Sequence, residues 1–137
     1  MDAFCLDCDA IGKWKPQGRV MVVEDEFIIA LALRRQIEAM GLEVCHMTDG
    51  VHDALEFARS QTVDVALMDV SLRGGDDGIE AARRLVNEFG VPVVVISAYP
   101  EQHIRARAEA AGACAVLGKP ASEAELCRAL ALALGAC

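Results

Sequence analysis

Polar and apolar positions follow two different rhythms along this chain. Compact apolar runs, Val20–Val23, Val63–Met68, Val91–Ile96 and Ala113–Gly118, are separated by longer stretches whose apolar residues recur every three or four positions. A continuous apolar run bounded by turn residues predicts a strand buried on both faces, and three-to-four spacing predicts an amphipathic helix. Strands are predicted near 19–24, 43–47, 63–69, 92–97 and 113–118, and helices near 26–40, 50–60, 78–89, 100–111 and 122–134. In the first helix Ile29, Leu33, Ile37 and Met40 form the inward stripe. Gly41, Gly90 and Gly112 stand where glycine ends a helix, and Ser122 with Glu125 is a capping box opening the last one. Five βα units with short connections predict an α/β domain: a doubly wound (βα)5 parallel sheet with right-handed crossovers. Residues 1–18 show no sustained period and end in Lys15-Pro16-Gln17-Gly18, so they are expected to be a flexible extension before a domain at 19–137.

Composition narrows the function. The 137 residues suit one domain with a real core. Thirteen Lys and Arg against 21 Asp and Glu give a net charge of −8, which argues against a nucleic-acid partner. No apolar stretch reaches the roughly 20 residues of a membrane span, and the N-terminus lacks a signal layout, so no membrane partner and a cytoplasmic location are expected. Cys45 and Cys114 fall within predicted strand runs and read as reduced, small hydrophobic residues. Cys5 and Cys8 form a CxxC without a second pair at ligand spacing, which reads as incidental.

The chemistry gathers at the ends of the apolar runs. Glu24-Asp25 follow the first, Asp69 ends another, Ser97 closes the next and Lys119-Pro120 follow the last. In an open parallel sheet the carboxyl ends of the strands line one edge, where ligands bind. Three acids, a hydroxyl and an ammonium then converge on one crevice suited to a divalent cation and a phosphoryl group. Each motif alone has an ordinary reading as a helix start, a loop cap or a surface lysine; four in order do not.

The segments Val22-Val23-Glu24-Asp25-Glu26, Leu67-Met68-Asp69-Val70-Ser71-Leu72 with Gly78 beyond, Ile96-Ser97-Ala98 and Leu117-Gly118-Lys119-Pro120 resemble the receiver domain of two-component response regulators, over roughly residues 19–135. The resemblance implies a flavodoxin-like strand order 2-1-3-4-5. It implies a single-domain response regulator in which Asp69 accepts a phosphoryl group from phosphohistidine and signals by a conformational switch through protein–protein contacts. Its only catalysis would be its own phosphorylation and dephosphorylation. Asp25, Asp69 and the Ser71 backbone carbonyl would hold Mg²⁺, with Glu24 acting through a metal-bound water. Lys119 would meet the phosphoryl oxygens, and a cis Lys119-Pro120 bond would aim it inward. Ser97 would donate its hydroxyl and draw its loop inward. The implied partners are a sensor histidine kinase or a histidine phosphotransfer protein, and a downstream protein target.

The chain also departs from the family pattern. Val70 to Asp77 lacks the family's proline and is one residue longer, with Gly74-Gly75 and Asp76-Asp77 predicting a mobile acidic connection. The aromatic switch position on the fifth strand is Val116; Tyr99 is either its substitute or a partly exposed loop tyrosine. Phe27 and Leu31, opposite the inward stripe, are candidates with Pro120 for docking the phosphodonor, or are singly exposed apolar residues. Leu132, on the polar side of the last helix near Glu125 and Arg128, is a candidate for a homodimer face. His46, His52 and His103 are scattered and are assigned no chemistry. The alternative function is a degenerate receiver acting as a phosphorylation-independent adaptor, against which the intact set Glu24, Asp25, Asp69, Ser97 and Lys119 speaks. A haloacid-dehalogenase-type phosphohydrolase needs an acid where Ser71 stands, and a nucleotide- or flavin-binding module needs a glycine-rich loop after the first strand.

Overall fold

The apolar runs become the strands of one sheet. The structure, a computed structural model, describes residues 17–70, 72 and 77–135. In chain order the elements are β1 (Arg19–Val23), α1 (Phe27–Ala39), β2 (Glu43–Thr48), α2 (Val51–Ser60), β3 (Val65–Asp69), α3 (Gly78–Phe89), β4 (Val93–Ser97), α4 (Gln102–Ala110), β5 (Ala115–Gly118) and α5 (Glu123–Ala133). The sheet order is β2-β1-β3-β4-β5 with every pair parallel. This is the flavodoxin-like arrangement the resemblance implied. Among the described residues no helix is long and apolar enough to cross a membrane.

Period-two alternation divides the core. Val20, Val22, Leu67, Val94 and Ile96 face α1 and α5, meeting Ala30, Leu33, Ile37, Leu126 and Leu130. Met21, Val23, Met68, Val93 and Val95 face α2, α3 and α4, meeting Leu55, Ala82, Leu85 and Ala108. Strands β3 and β4 are buried at every position, so each large side chain there contributes about 1.5–3 kcal/mol of burial. The edge strands β2 and β5 are only partly buried. In α1 the buried stripe is Ala30, Leu33 and Ile37, while Ile29 packs at its margin.

Boundaries shift from the predicted ones for local reasons. β3 starts at Val65 because the Arg19 amide donates to the Asp64 side chain at 2.8 Å in place of a ladder carbonyl. α4 starts at Gln102 because Glu101 N donates to Tyr99 O at 2.7 Å, making a turn across Pro100. Cys114 was expected inside a strand; it precedes β5 and is exposed, because the sheet edge begins one residue later. Cys45 is half-buried and Cys127 is buried in α5. The β1–β2 register slips between Val20 and Met21, and past that slip His46 stacks on Phe57 with centroids 4.1 Å apart and meets Asp53 at 2.7 Å. Cys5, Cys8, Ser71 and the stretch 73–76 lie outside the described residues.

Helix ends follow the predicted punctuation. Gly41, Gly90 and Gly112 have positive φ, and Ser122 and Glu125 make the reciprocal capping box. Asp77, expected within a loose acidic connection, instead caps α3: its side chain accepts from Ile79 N and Glu80 N and receives Arg107 at 2.7 Å. Partial burial pushes the Asp77 carboxyl up, but the two amides and the Arg107 guanidinium together outweigh that and hold it below the usual carboxylate range. A depressed folded-state value means the stabilisation is present above the unfolded pKa, about 3.9, and is lost as pH falls through the folded value. Asp77→Asn is therefore expected to flatten the acid limb of the stability curve below about pH 4, measured by urea unfolding across pH. An unchanged acid limb would show that the cap and its Arg107 pair do not couple to folding.

Candidate functional site

Parallel pairing brings the strand ends level, and that alignment assembles the site. Val23 pairs with Met68, Asp69 with Ile96 and Ser97 with Gly118. The residues that end or follow these strands, Glu24, Asp25, Asp69, Ser97 and Lys119, consequently meet at one edge. Asp25, Asp69, Ser97 and Lys119 line a cleft of about 410 Å³, with Glu26, Val70, Ala98 and Tyr99 completing its wall.

Lys119 is the hub of this cluster. Its Nζ lies 3.0 Å from Asp69 Oδ1 and 2.8 Å from Glu24 Oε1. Glu24 is 3% exposed and Asp69 2%, so both carboxylates have given up most of their hydration. Burial disfavours the ammonium's charge, but the contacts with Glu24 and Asp69 outweigh it and raise the Lys119 pKa. The Lys119-Pro120 bond is cis. Glu24 Oε2 accepts from Glu26 N at 3.1 Å, which fixes the turn into α1. Glu24 Oε1 is buried and has no aligned hydrogen-bond donor, the Lys119 approach being an ion-pair contact.

The donor set fits a hard divalent cation. One carboxylate oxygen from each of Glu24, Asp25 and Asp69 lies within 4.8 Å of the others. Three carboxylates gather around one ammonium, an acid-rich set of the kind a divalent ion binds. The candidate atoms are all carboxylate oxygens, the donor type Mg²⁺ prefers over nitrogen or sulfur. The Ser71 carbonyl, the other expected ligand, lies outside the described residues.

Ser97 is buried at the end of β4, and its Oγ accepts from Tyr99 N at 3.1 Å. Tyr99 is 76% exposed, so its ring stands outside the protein in this conformation. Of the expected docking residues, Pro120 lines a second, apolar groove of about 470 Å³ between α1 and the segment after β5. Phe27 is exposed beside it, whereas Leu31 is half-buried and does not line it. Ile28, 75% exposed and part of the groove wall with Ala32 and Ala121, was missed. Its signal was the run Phe27-Ile28-Ile29, too apolar for the stripe alone to bury. Leu132 is exposed on α5, on the side the sequence indicated.

Gly78 holds the phosphoacceptor candidate from behind. A Cβ there would lie 1.8 Å from the Asp69 carbonyl oxygen, so α3 can begin against the end of β3 only without a side chain. Gly78 N also donates to Val70 O at 3.0 Å. Gly78→Ala should lower unfolding free energy by about 3 kcal/mol, as overpacking against backbone does. Gly50→Ser, at a helix N-cap where a Cβ meets nothing within 4 Å, should change it by less than about 0.5 kcal/mol. Urea denaturation of both variants checks the pair; equal effects would remove the close approach as the cause.

The family profile described as response regulator receiver domain matches residues 20–131. Over 116 residues the chain is 34% identical to the transcriptional regulatory protein PdtaR of Mycobacterium tuberculosis, covering 85% of this chain and 56% of that protein. It is 33% identical over 86 residues to the phyllosphere-induced regulator PhyR of Methylorubrum extorquens, covering 62% of this chain and 32% of that one. Among solved structures, the signal receiver domain of a modulated diguanylate cyclase from Desulfovibrio desulfuricans superposes with a TM-score of 0.80 at 30% identity, covering 88% of this chain and 95% of that one. The receiver domain of the response regulator NarL from Mycobacterium tuberculosis gives 0.75 at 30% identity, covering 82% and 92%. The chain thus spans about half or less of the curated relatives' own lengths.

Proposed function

Because the chain belongs to the response regulator receiver family, a family of signalling domains rather than classical enzymes, we propose that it accepts a phosphoryl group on Asp69 from a phosphohistidine. The donor would be a histidine kinase or a histidine phosphotransfer protein. The observation that carries this reading is the buried Glu24–Lys119–Asp69 bridge beside an open cleft, an arrangement that sets Asp69 against a cation and leaves it on the cleft wall.

The chemistry follows from what each side chain can do. Asp69 offers one carboxylate oxygen to the phosphorus; as the new O–P bond forms, the donor's N–P bond breaks and its electron pair returns to the imidazole nitrogen. Negative charge then crowds the equatorial oxygens, and stabilising it is most of the catalytic task. Lys119, already against Asp69 Oδ1, meets one such oxygen as a compact cation. Ser97, at the end of the adjacent strand, donates its hydroxyl proton to another while Oγ goes on accepting from Tyr99 N. Drawing Ser97 toward the phosphoryl oxygen pulls the Ser97–Tyr99 turn with it, the two-state element of a switch. Glu24, Asp25 and Asp69 would hold Mg²⁺, which when bound neutralises phosphoryl oxygens. The apolar groove along Ile28, Ala32 and Pro120, next to Lys119, would receive the phosphodonor's surface, with Phe27 at its margin.

Intact mass after incubation with acetyl phosphate tests the reading. Wild type should gain one phosphoryl group only with Mg²⁺, and Asp69→Asn should gain none. A folded wild type that binds Mg²⁺ yet gains nothing would move the function to a phosphorylation-independent adaptor.

A further inference from the structure

The least securely packed helix lies next to the candidate switch. α4 buries a single residue, Ala108, whereas α3 and α5 each bury five. Between α4 and β5 lies a cleft of about 370 Å³, walled by Gln102, Arg105, Ala106, Cys114 and Val116 among others. Apolar packing therefore does not fix how α4 and the loop before it sit on the sheet edge. A polar side chain spans the gap instead. Arg105 Nε donates to Pro100 O at 3.0 Å and Nη1 reaches Val116 O at 3.4 Å, so one guanidinium joins the loop, the helix and the edge strand. Pro100 itself sits over β5, 3.5 Å from where a Cβ on Gly118 would be, one residue before Lys119.

We infer that Arg105 is a positioning residue for the phosphoacceptor site, a strut that sets the Ser97–Pro100 loop over β5 by holding the Pro100 and Val116 carbonyls together. It does not line the cleft that holds Asp69. It acts through Pro100, the residue directly after Tyr99 and three residues from Ser97. A fork of donors is needed because two carbonyls must be held at once; lysine offers a charge without that fork. Arg107, two positions along the same helix, reaches the opposite way to Asp77 at 2.7 Å. It therefore serves as a control for charge and helix propensity.

The inference rests on the phosphoacceptor reading for its link to chemistry but not for the strut itself, and one experiment separates them. Tyr99 is the chain's single tyrosine, so 3-fluorotyrosine labelling places one fluorine reporter on the loop. In unphosphorylated protein, Arg105→Ala should shift or broaden that fluorine line, Arg105→Lys should do so partially, and Arg107→Ala should leave it at the wild-type position. Under acetyl phosphate with Mg²⁺, Arg105→Ala should label Asp69 on the order of tenfold more slowly, the scale of a loosened reactive geometry, with Arg107→Ala near wild type. Arg105→Lys keeps the test open if the alanine variant unfolds on thermal melting. A fluorine line unmoved in both Arg105 variants, or moved equally by Arg107→Ala, overturns the strut. A moved line with unchanged labelling rate overturns its role in positioning the site. If wild type takes no phosphoryl group while the line still moves, the phosphoacceptor reading fails and the strut stands as a determinant of loop position.

Discussion

Everything at the working edge of this domain depends on one ammonium holding two buried carboxylates. Glu24 and Asp69 sit at the ends of neighbouring strands, nearly stripped of water, and Asp25 stands beside them. Carboxylates so placed repel one another, and in a medium less polarisable than water that repulsion grows. Lys119 relieves it by reaching from the far side of the sheet to both. The relief is incomplete, because three carboxylates crowd one ammonium and one Glu24 oxygen has no aligned donor. An acid-rich cluster of oxygen donors is of the kind that suits a hard cation.

The rest of the fold supplies the rigidity this arrangement requires. Three central strands with wholly or almost wholly buried side chains set the spacing of Glu24, Asp69 and Ser97, and period-two alternation sends their side chains to two separate cores. Packing at that density has few alternative arrangements, so it transmits position from strand to strand. Precision falls toward the sheet's edges. β5 is short and partly buried, and α4 beside it rests on one alanine and on arginine hydrogen bonds to backbone carbonyls. Apolar packing is insensitive to charge, whereas hydrogen bonds to carbonyls can be exchanged when a loop moves by an ångström. A domain that must hold its reactive groups still and yet respond to them would place its weakly packed element here.

What was legible in the sequence tracks how much of each feature is local. Strands β1, β3 and β4 announced themselves because burial on both faces removes every polar residue from the run. The helix stops at Gly41, Gly90 and Gly112 were legible because positive φ is a backbone requirement that few residues meet. That Glu24, Asp25, Asp69, Ser97 and Lys119 meet at one edge was legible because the strand ends of a parallel sheet line one edge. Cys114 was misjudged because an edge strand exposes residues that a central one would bury, and a run of small apolar residues looks the same in both settings. Asp77 read as part of a loose acidic loop, though an aspartate before a helix start is a common cap; its pairing with Arg107 joins residues thirty apart and leaves no local mark. Arg105 left none either. Its partners are main-chain carbonyls, which every residue carries, so no pattern of residue types could reveal it.

On the phosphoacceptor proposal, recognition and chemistry would occupy adjoining surfaces without interfering. The acidic cleft would meet any phosphoryl donor in the same way, and so would discriminate poorly between donors. The neighbouring groove is apolar along Ile28, Ile29, Ala32 and Pro120, with Lys119 where the two surfaces meet. Apolar contact depends on shape and is little affected by the charge of the phosphoryl group passing alongside. Ile28 is exposed and belongs to the wall of that groove. On the phosphoacceptor proposal, selectivity for a protein donor would fall to α1 and the transfer itself to the strand ends.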